Sequence, residues 1–185
     1  MATTAGSILG NPVRRVEDSR ILLGDAKYFD YLNPGRCAHI VFVRSTIAHA
    51  RITGVDTSEA ENMPGVVAVH ARTTLELPPQ QGFVMLPPAF NRPPLADGVV
   101  RFVGDIVVAV VAETRAQAVD AAEMVVVDYD PLPVLVDPES ALDADAPILF
   151  PEHGTNVCLE LNFGEDPDIL EGSDVVVTGR FVNQR

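Results

Sequence analysis

The protein has 185 residues, 26 acidic and 13 basic, for a net charge of -13. That balance excludes nucleic acid or an anionic membrane as the main partner, since both require clustered Lys and Arg. With 47% hydrophobic and 21% charged residues the composition is globular; a chain this long suits one domain, or one domain and the start of another, and buries roughly 70% of its unfolded surface.

The first ten residues have neither a basic cluster nor a long apolar run, and Arg14-Arg15 is followed by Val16-Glu17-Asp18. Neither a Sec nor a twin-arginine signal is therefore expected, and cytoplasm is the expected compartment. Residues 1–35, punctuated by Gly10, Pro12, Gly24, Pro34 and Gly35, read as an extended arm over a surface, with Ile21-Leu22-Leu23 as an apolar anchor.

Periodic order begins at Cys37. Ala38–Val43 is β-rich, and Arg51–Val55 alternates like a half-buried strand. Asp56-Thr57-Ser58 offers caps for a helix whose first turn carries Glu59 and Glu61, where the helix dipole favours negative charge. Pro64-Gly65 must end that helix early, and Val66–Val69 is the next strand.

Leu77–Asp97 has no periodicity and holds Pro78, Pro79, Pro87, Pro88, Pro93 and Pro94, together with Phe83, Val84, Met85, Leu86 and Phe90. Structureless stretches of this length inside a compact domain tend to be functional or disordered. Apolar residues exposed there cover or line something.

Strand, helix and strand recur at 106–129. Ile106–Val111 is an unbroken apolar run, too short for a helix, and reads as a strand covered on both faces. Extended to Ala112 it is still far short of a membrane span. Thr114 with Gln117 forms a capping box, and Ala118, Val119, Ala122 and Val125 form a stripe of mostly small residues. Val125-Val126-Val127 is a strand that Asp128-Tyr129-Asp130-Pro131 ends. Two strand–helix–strand units predict an α+β (mixed α/β) fold with a mixed sheet and helices packed on it. Beyond Pro138, a short helix at Ser140-Ala141-Leu142 precedes an acidic loop, and 156–163 and 174–182 alternate as strands. The second strand pattern runs almost to Arg185, so the polypeptide is expected to continue.

Chemistry is sparse. Cys37 and Cys158 lie far apart in apolar runs, with no CxxC or Cys/His cluster, and read as buried free thiols; they build no zinc or iron–sulfur site from this chain alone. His39, His49, His70 and His153 do not form a metal motif, and His49 reads as a hydrogen-bonded loop histidine between strands. Gly104-Asp105 reads as a tight turn, and no glycine-rich phosphate loop is present. The carboxylate pairs Asp128/Asp130, Asp143/Asp145 and Glu165/Asp166 read as solvated groups at turns and element ends. A spatially assembled Ser/His/Asp or Cys/His triad leaves no spacing signal and stays open at this point.

Several blocks, in order, carry a family likeness. Gly10-Asn11-Pro12-Val13-Arg14-Arg15-Val16-Glu17-Asp18, Arg20-Ile21-Leu22-Leu23-Gly24 and Tyr28-Phe29-Asp30 resemble the opening of the large subunit of carbon monoxide dehydrogenase and aldehyde oxidase-type enzymes. Arg44-Ser45-Thr46-Ile47-Ala48-His49-Ala50-Arg51-Ile52 and Pro64-Gly65-Val66-Val67-Ala68-Val69 are similar to the next two signatures. The longest block runs from Val100-Arg101-Phe102-Val103-Gly104-Asp105 through Ala109-Val110-Val111-Ala112-Glu113-Thr114 to Asp128-Tyr129-Asp130-Pro131-Leu132-Pro133. Phe181 and Asn183-Gln184-Arg185 resemble the start of the following domain.

The resemblance, to the xanthine oxidase family, implies an arm at 1–35, an α/β hammerhead domain at 36–150, and a connection with the first strand of a molybdopterin-binding domain at 151–185. It implies a molybdenum hydroxylase acting on an aldehyde, CO or an N-heterocycle. The implied cofactors are molybdopterin with Mo, as the cytosine dinucleotide, in the complete subunit, and FAD and [2Fe-2S] in medium and small partner subunits. No catalytic, cofactor-binding or metal residue carries over, because the family's lie in later domains. Asp105 departs mildly from the family's usual residue after that glycine, and the loop at 78–92 matches no member closely. In related enzymes that loop approaches the mouth of the substrate funnel, so Phe83, Met85 and Phe90 are expected to line or cover it, or else to pack on a neighbouring domain. A free-standing binding or scaffold module and a small triad enzyme are the alternative readings.

Overall fold

The computed structural model describes residues 15–26, 28, 35–75, 77–161, 164, 166 and 168–181. The elements are α1 (Asp18–Leu22), β1 (His39–Arg44), β2 (Ala50–Asp56), α2 (Ser58–Glu61), β3 (Val66–Ala71), β4 (Val99–Val100), β5 (Ile106–Ala112), α3 (Arg115–Glu123) and β6 (Val126–Pro131), with 3-10 turns at Pro88–Phe90 and Ser140–Leu142. They form two three-stranded sheets, ordered β1-β5-β3 and β4-β2-β6. Packing divides the chain into two compact units, one from 1–43, 55–70 and 108–126 and the other from 44–54, 71–107 and 127–185.

The mixed α/β class and both strand–helix–strand units are as expected, with the strands divided between two sheets. Each strand–helix–strand stretch begins in one sheet and ends in the other: β2 leads through α2 to β3, and β5 through α3 to β6. Local periodicity predicts each strand but carries no information on which neighbour it pairs with.

In the first unit the apolar run at β5 is the central strand, and Val108, Ala109, Val110 and Ala112 are buried. A strand flanked on both sides and covered on both faces can be apolar throughout. The capping box of α3 forms as the sequence predicts: Gln117 N–H donates to Thr114 Oγ1 at 3.3 Å, and Thr114 N–H donates to Gln117 Oε1 at 3.0 Å. The buried stripe of α3 is shifted from the predicted one. Ala118 and Ala121 are fully buried, while Val119 is exposed. Alanine presents the least bulk, so the helix turns that edge inward, and α2 packs on α3 with Ala60 also fully buried.

Met63-Pro64-Gly65-Val66 ends α2 in a turn closed by Val66 N–H on Met63 O at 3.2 Å, with Gly65 at φ +80°. Proline second and a positive-φ glycine third make this a type II turn. At the other end of α2, Ser58 donates its N–H to Asp56 Oδ1 at 2.9 Å. The Ser58 hydroxyl, then its N–H, hold the Asp56 carboxyl below the usual carboxylate range.

In the second unit β2 is central and pairs antiparallel with β4, setting Ala50 opposite Val100 and Arg51 opposite Val99. Its core holds Ala50, Ala71, Leu95, Ala96, Val100 and Val107. β6 runs on to Pro131, so Asp128 and Asp130 lie within a strand instead of ending it. The half-buried Val127 and Tyr129 alternate with the exposed Asp128 and Asp130, and an edge strand tolerates both outward charge and a terminal proline.

Three further expectations are corrected. Cys37 and Cys158 are free thiols but exposed, because neither lies in a paired strand that could bury it. Residues 156–161 and 174–181 alternate in sequence yet form no ladder; alternation confers the capacity to pair, and pairing needs a neighbour. Within the expected arm, 18–22 is helical, and Ile21, Leu22 and Leu23 are exposed. Residues 1–14, 29–34, 162, 163 and 182–185, which carry part of the resemblance and of the strand readings, lie outside the described residues.

Candidate functional site

The most chemically furnished region lies within the second unit, where the proline-rich loop closes over β4 and its flanking turn. Gln80 and Arg92 form an isolated antiparallel bridge, with Gln80 N–H on Arg92 O at 2.7 Å and Arg92 N–H on Gln80 O at 3.2 Å. This bridge pins the neck of the loop. Pro88–Phe90 then forms a 3-10 turn, closed by Phe90 N–H on Pro87 O at 2.9 Å; Pro88, at its first position, has no N–H to leave unsatisfied.

The three predicted loop residues separate. Phe90 is half-buried, its ring centroid 4.6 Å from that of Phe150 and 4.7 Å from the edge-on ring of His153. Phe83 and Met85 are exposed, Phe83 completely so. Phe90 is thus the aromatic anchor at the loop's base, and the other two stand out on it.

Beneath the loop is a cavity of about 420 Å³. Its wall carries Arg72, Arg92, Arg101, Asp97, Asp105 and Glu152. Proline and aromatic side chains of the same wall, including Pro88, Phe102 and Phe150, give it flat apolar surfaces. Arg92 Cζ sits 4.6 Å from the Phe102 ring centroid, and Arg101 Cζ 4.5 Å from that of Phe150. Stacking on an aromatic face fixes the plane of a guanidinium without using any of its N–H donors.

The turn supporting this wall is strongly tied. Gly104, at φ +97°, is the third residue of a type II turn closed by Asp105 N–H on Phe102 O at 3.2 Å. Gly104 N–H donates to Ser45 O and Ser45 N–H to Asp105 O, both at 2.8 Å, and Ser45 itself is buried. The Gly104-Asp105 turn reading is therefore borne out. The same segment places His49, buried, with Nδ1 2.6 Å from Pro133 O, as the hydrogen-bonded loop histidine read from the sequence.

The arginines were not singled out as site residues in the sequence. Arg72, Arg92 and Arg101 come from three segments and share no spacing rule, and the rings that the last two stack on, Phe102 and Phe150, lie ten or more residues away along the chain. Among the described residues no group of three or more His, Cys, Asp or Glu is placed to hold a metal ion, and no helix is long and apolar enough to cross a membrane.

Residues 23–133 match the family described as "Aldehyde oxidase and xanthine dehydrogenase, a/b hammerhead domain". The chain belongs to this family. Over 181 residues it is 36% identical to the nicotine 6-hydroxylase large subunit of Paenarthrobacter nicotinovorans, a match covering 95% of this chain and 22% of that protein. It is 44% identical over 142 residues to the carbon monoxide dehydrogenase large chain of Afipia carboxidovorans, covering 76% of this chain and 17% of that one. Among solved structures, the Cu,Mo-CO dehydrogenase in its carbon monoxide reduced state superposes with a TM-score of 0.65 at 43% identity, covering 76% of this chain and 18% of that one. The chain therefore spans about a fifth of the length of these two curated relatives. The hammerhead match takes in every strand from β1 to β6, and with them Arg72, Arg92 and Arg101.

Proposed function

We propose that this chain is the N-terminal hammerhead domain of a molybdenum hydroxylase large subunit. The observation that carries the reading is an alignment along 95% of this chain to 22% of a hydroxylase large subunit. On this reading residues 1–35 are an arm, 36–150 the hammerhead, and 151–185 the connection into a molybdopterin-binding domain. The complete subunit acts in the cytoplasm on CO, an aldehyde or an N-heterocycle. Its molybdenum, on the cytosine dinucleotide form of molybdopterin, supplies the redox chemistry that places water-derived oxygen on carbon. FAD in a medium subunit and [2Fe-2S] clusters in a small subunit receive the electrons. On this proposal the role of the segment is to shape and support.

Its own contribution to substrate choice is the loop. On this proposal Phe83, Met85 and Phe90 line or cover the mouth of the substrate funnel; what supports it is that Phe83 and Met85 are exposed above a neck pinned by the Gln80–Arg92 bridge and a base anchored by Phe90.

Two measurements test this. Affinity purification of the chain at its natural expression level, followed by metal analysis and dye reduction with CO, aldehydes and N-heterocycles, is expected to yield molybdenum and substrate-dependent turnover. Recovery of a 185-residue protein alone, without molybdenum or companions, sinks the reading and favours a free-standing module. In the active enzyme, replacing Phe83, Met85 and Phe90 together by alanine is expected to shift the relative kcat/KM of small and bulky substrates. An unchanged ratio removes the funnel role and leaves the domain assignment standing.

A further inference from the structure

The cavity under the loop is balanced in charge but not in hydrogen bonds. Three arginines face three acids on its wall. A guanidinium has five N–H donors in a planar fork, and here few of them are used. Arg72 donates from Nε to Asp97 Oδ2 at 3.2 Å, while its Nη1 is buried with no hydrogen-bond partner among the described residues. Arg101 donates from Nε to Leu149 O at 2.9 Å, but its Nη2 stands 3.8 Å from Glu152 Oε1. Arg92 Nη2 stands 3.8 Å from Asp105 Oδ1. Those two ion pairs are longer than a hydrogen bond. The Asp105 carboxylate is already engaged by the Arg101 backbone N–H, at 3.2 Å.

The forks of Arg92 and Arg101 are thus oriented by Phe102 and Phe150 and charge-compensated at a distance. Arg72 Nη1, the one of these donors that is buried and unpaired, calls for an acceptor, and the planar forks beside it suit one with two oxygens in a plane, which is a carboxylate. Charge sets a further limit. With three acids on the same wall, a dianion such as phosphate meets strong repulsion, whereas a monocarboxylate adds a single negative charge. The prolines and aromatic rings lining the rest of the cavity suit a flat apolar body behind that carboxylate, and about 420 Å³ lies in the size range of small-molecule sites.

We propose that this cavity is a monocarboxylate site, in which Arg92 and Arg101 grip the carboxylate with Arg72 behind them. The carboxylate belongs either to a small flat acid or to an Asp or Glu side chain of polypeptide that packs over the loop. The site is independent of the molybdenum assignment, since it rests on the cavity alone.

The test uses the complete polypeptide that carries this chain, with benzoate as the probe, in calorimetric titration and in a crystal structure determined with and without it. If the site serves a free acid, benzoate binds saturably with its carboxylate on Arg92 and Arg101. Arg92→Lys and, separately, Arg101→Lys then each weaken binding about tenfold, because the charge stays and the fork is lost. If the carboxylate is built in, benzoate gives no heat, the structure shows an Asp or Glu side chain on the same two guanidinium groups, and each Lys variant lowers the melting temperature. Arg92 is 65% exposed at its side chain, so its replacement does not threaten the core, and circular dichroism checks that each variant folds. A cavity empty of carboxylate with no benzoate binding overturns the proposal, as do Lys variants that bind benzoate as tightly as the parent.

Discussion

Gly65 shows how much one residue can carry. It sits at φ +80°, where a side chain is strained, its carbonyl accepts Glu113 N–H at 2.9 Å, and a Cβ built there would collide with the Gln117 side-chain amide. Gln117 is the residue that completes the α3 capping box. Gly65→Ala therefore strains the type II turn and displaces the cap at once. The expected cost is about 2 kcal/mol, from the positive φ and the overpacking together. Chemical denaturation of the variant measures it. A loss under about 0.5 kcal/mol would mean that Gln117 swings aside freely and the cap contributes little. Pro64-Gly65 was legible in the sequence as a stop, because a turn needs only local chemistry. That the glycine also makes room for a side chain some fifty residues on was not, since no local signal reports close approach.

At the scale of elements the same boundary holds between what the chain says locally and what packing decides. β5 and the α3 cap could be read directly: a valine-rich run of strand length, then a Thr and a Gln three apart. Which side of α3 faces inward could not, because Val119 is more hydrophobic than Ala121, yet Ala121 is the one fully buried. Close helix approach favours small side chains over apolar ones, and only the packed partner α2, with Ala60 fully buried, makes that choice visible. Ala118→Leu tests it, since Ala118 is also fully buried. Three added carbons at a surface with no free space are expected to destabilise by about 1–3 kcal/mol. Val119→Leu, on the exposed side, should change stability by less than about 0.5 kcal/mol. Equal effects of the two in thermal or urea unfolding would show that the helix is not seated on its alanine edge. The arginine cavity was hidden for a related reason: three cations from separate segments meet only after β4 and its turn are in place.

For the molecule as a whole, the region past β6 departs most from a self-sufficient domain. Val136, Ile169, Val175, Val177 and Phe181 are exposed, and the described residues of 156–181 form no strand. Their alternation was legible, but a ladder has two sides, and among the described residues no strand supplies the second. Scattered apolar exposure is ordinary on a surface; a succession of large apolar residues along one segment is typical of a buried interface. On the proposed reading, the remainder of the large subunit covers this segment. Limited proteolysis makes that measurable, because cleavage requires backbone that is accessible and unpaired. With chymotrypsin, the 185-residue chain by itself is expected to be cut early after Leu159, Leu161, Leu170 and Phe181, as well as after the fully exposed Phe83, while the bond after Tyr129, within β6, survives. In the complete polypeptide the four sites from Leu159 to Phe181 should be cut at least about tenfold more slowly, as expected when local opening is suppressed by more than 1 kcal/mol. Equal cleavage rates in the two samples would mean that nothing packs on 156–181, and the large-subunit reading would then have to place this segment on the outer surface.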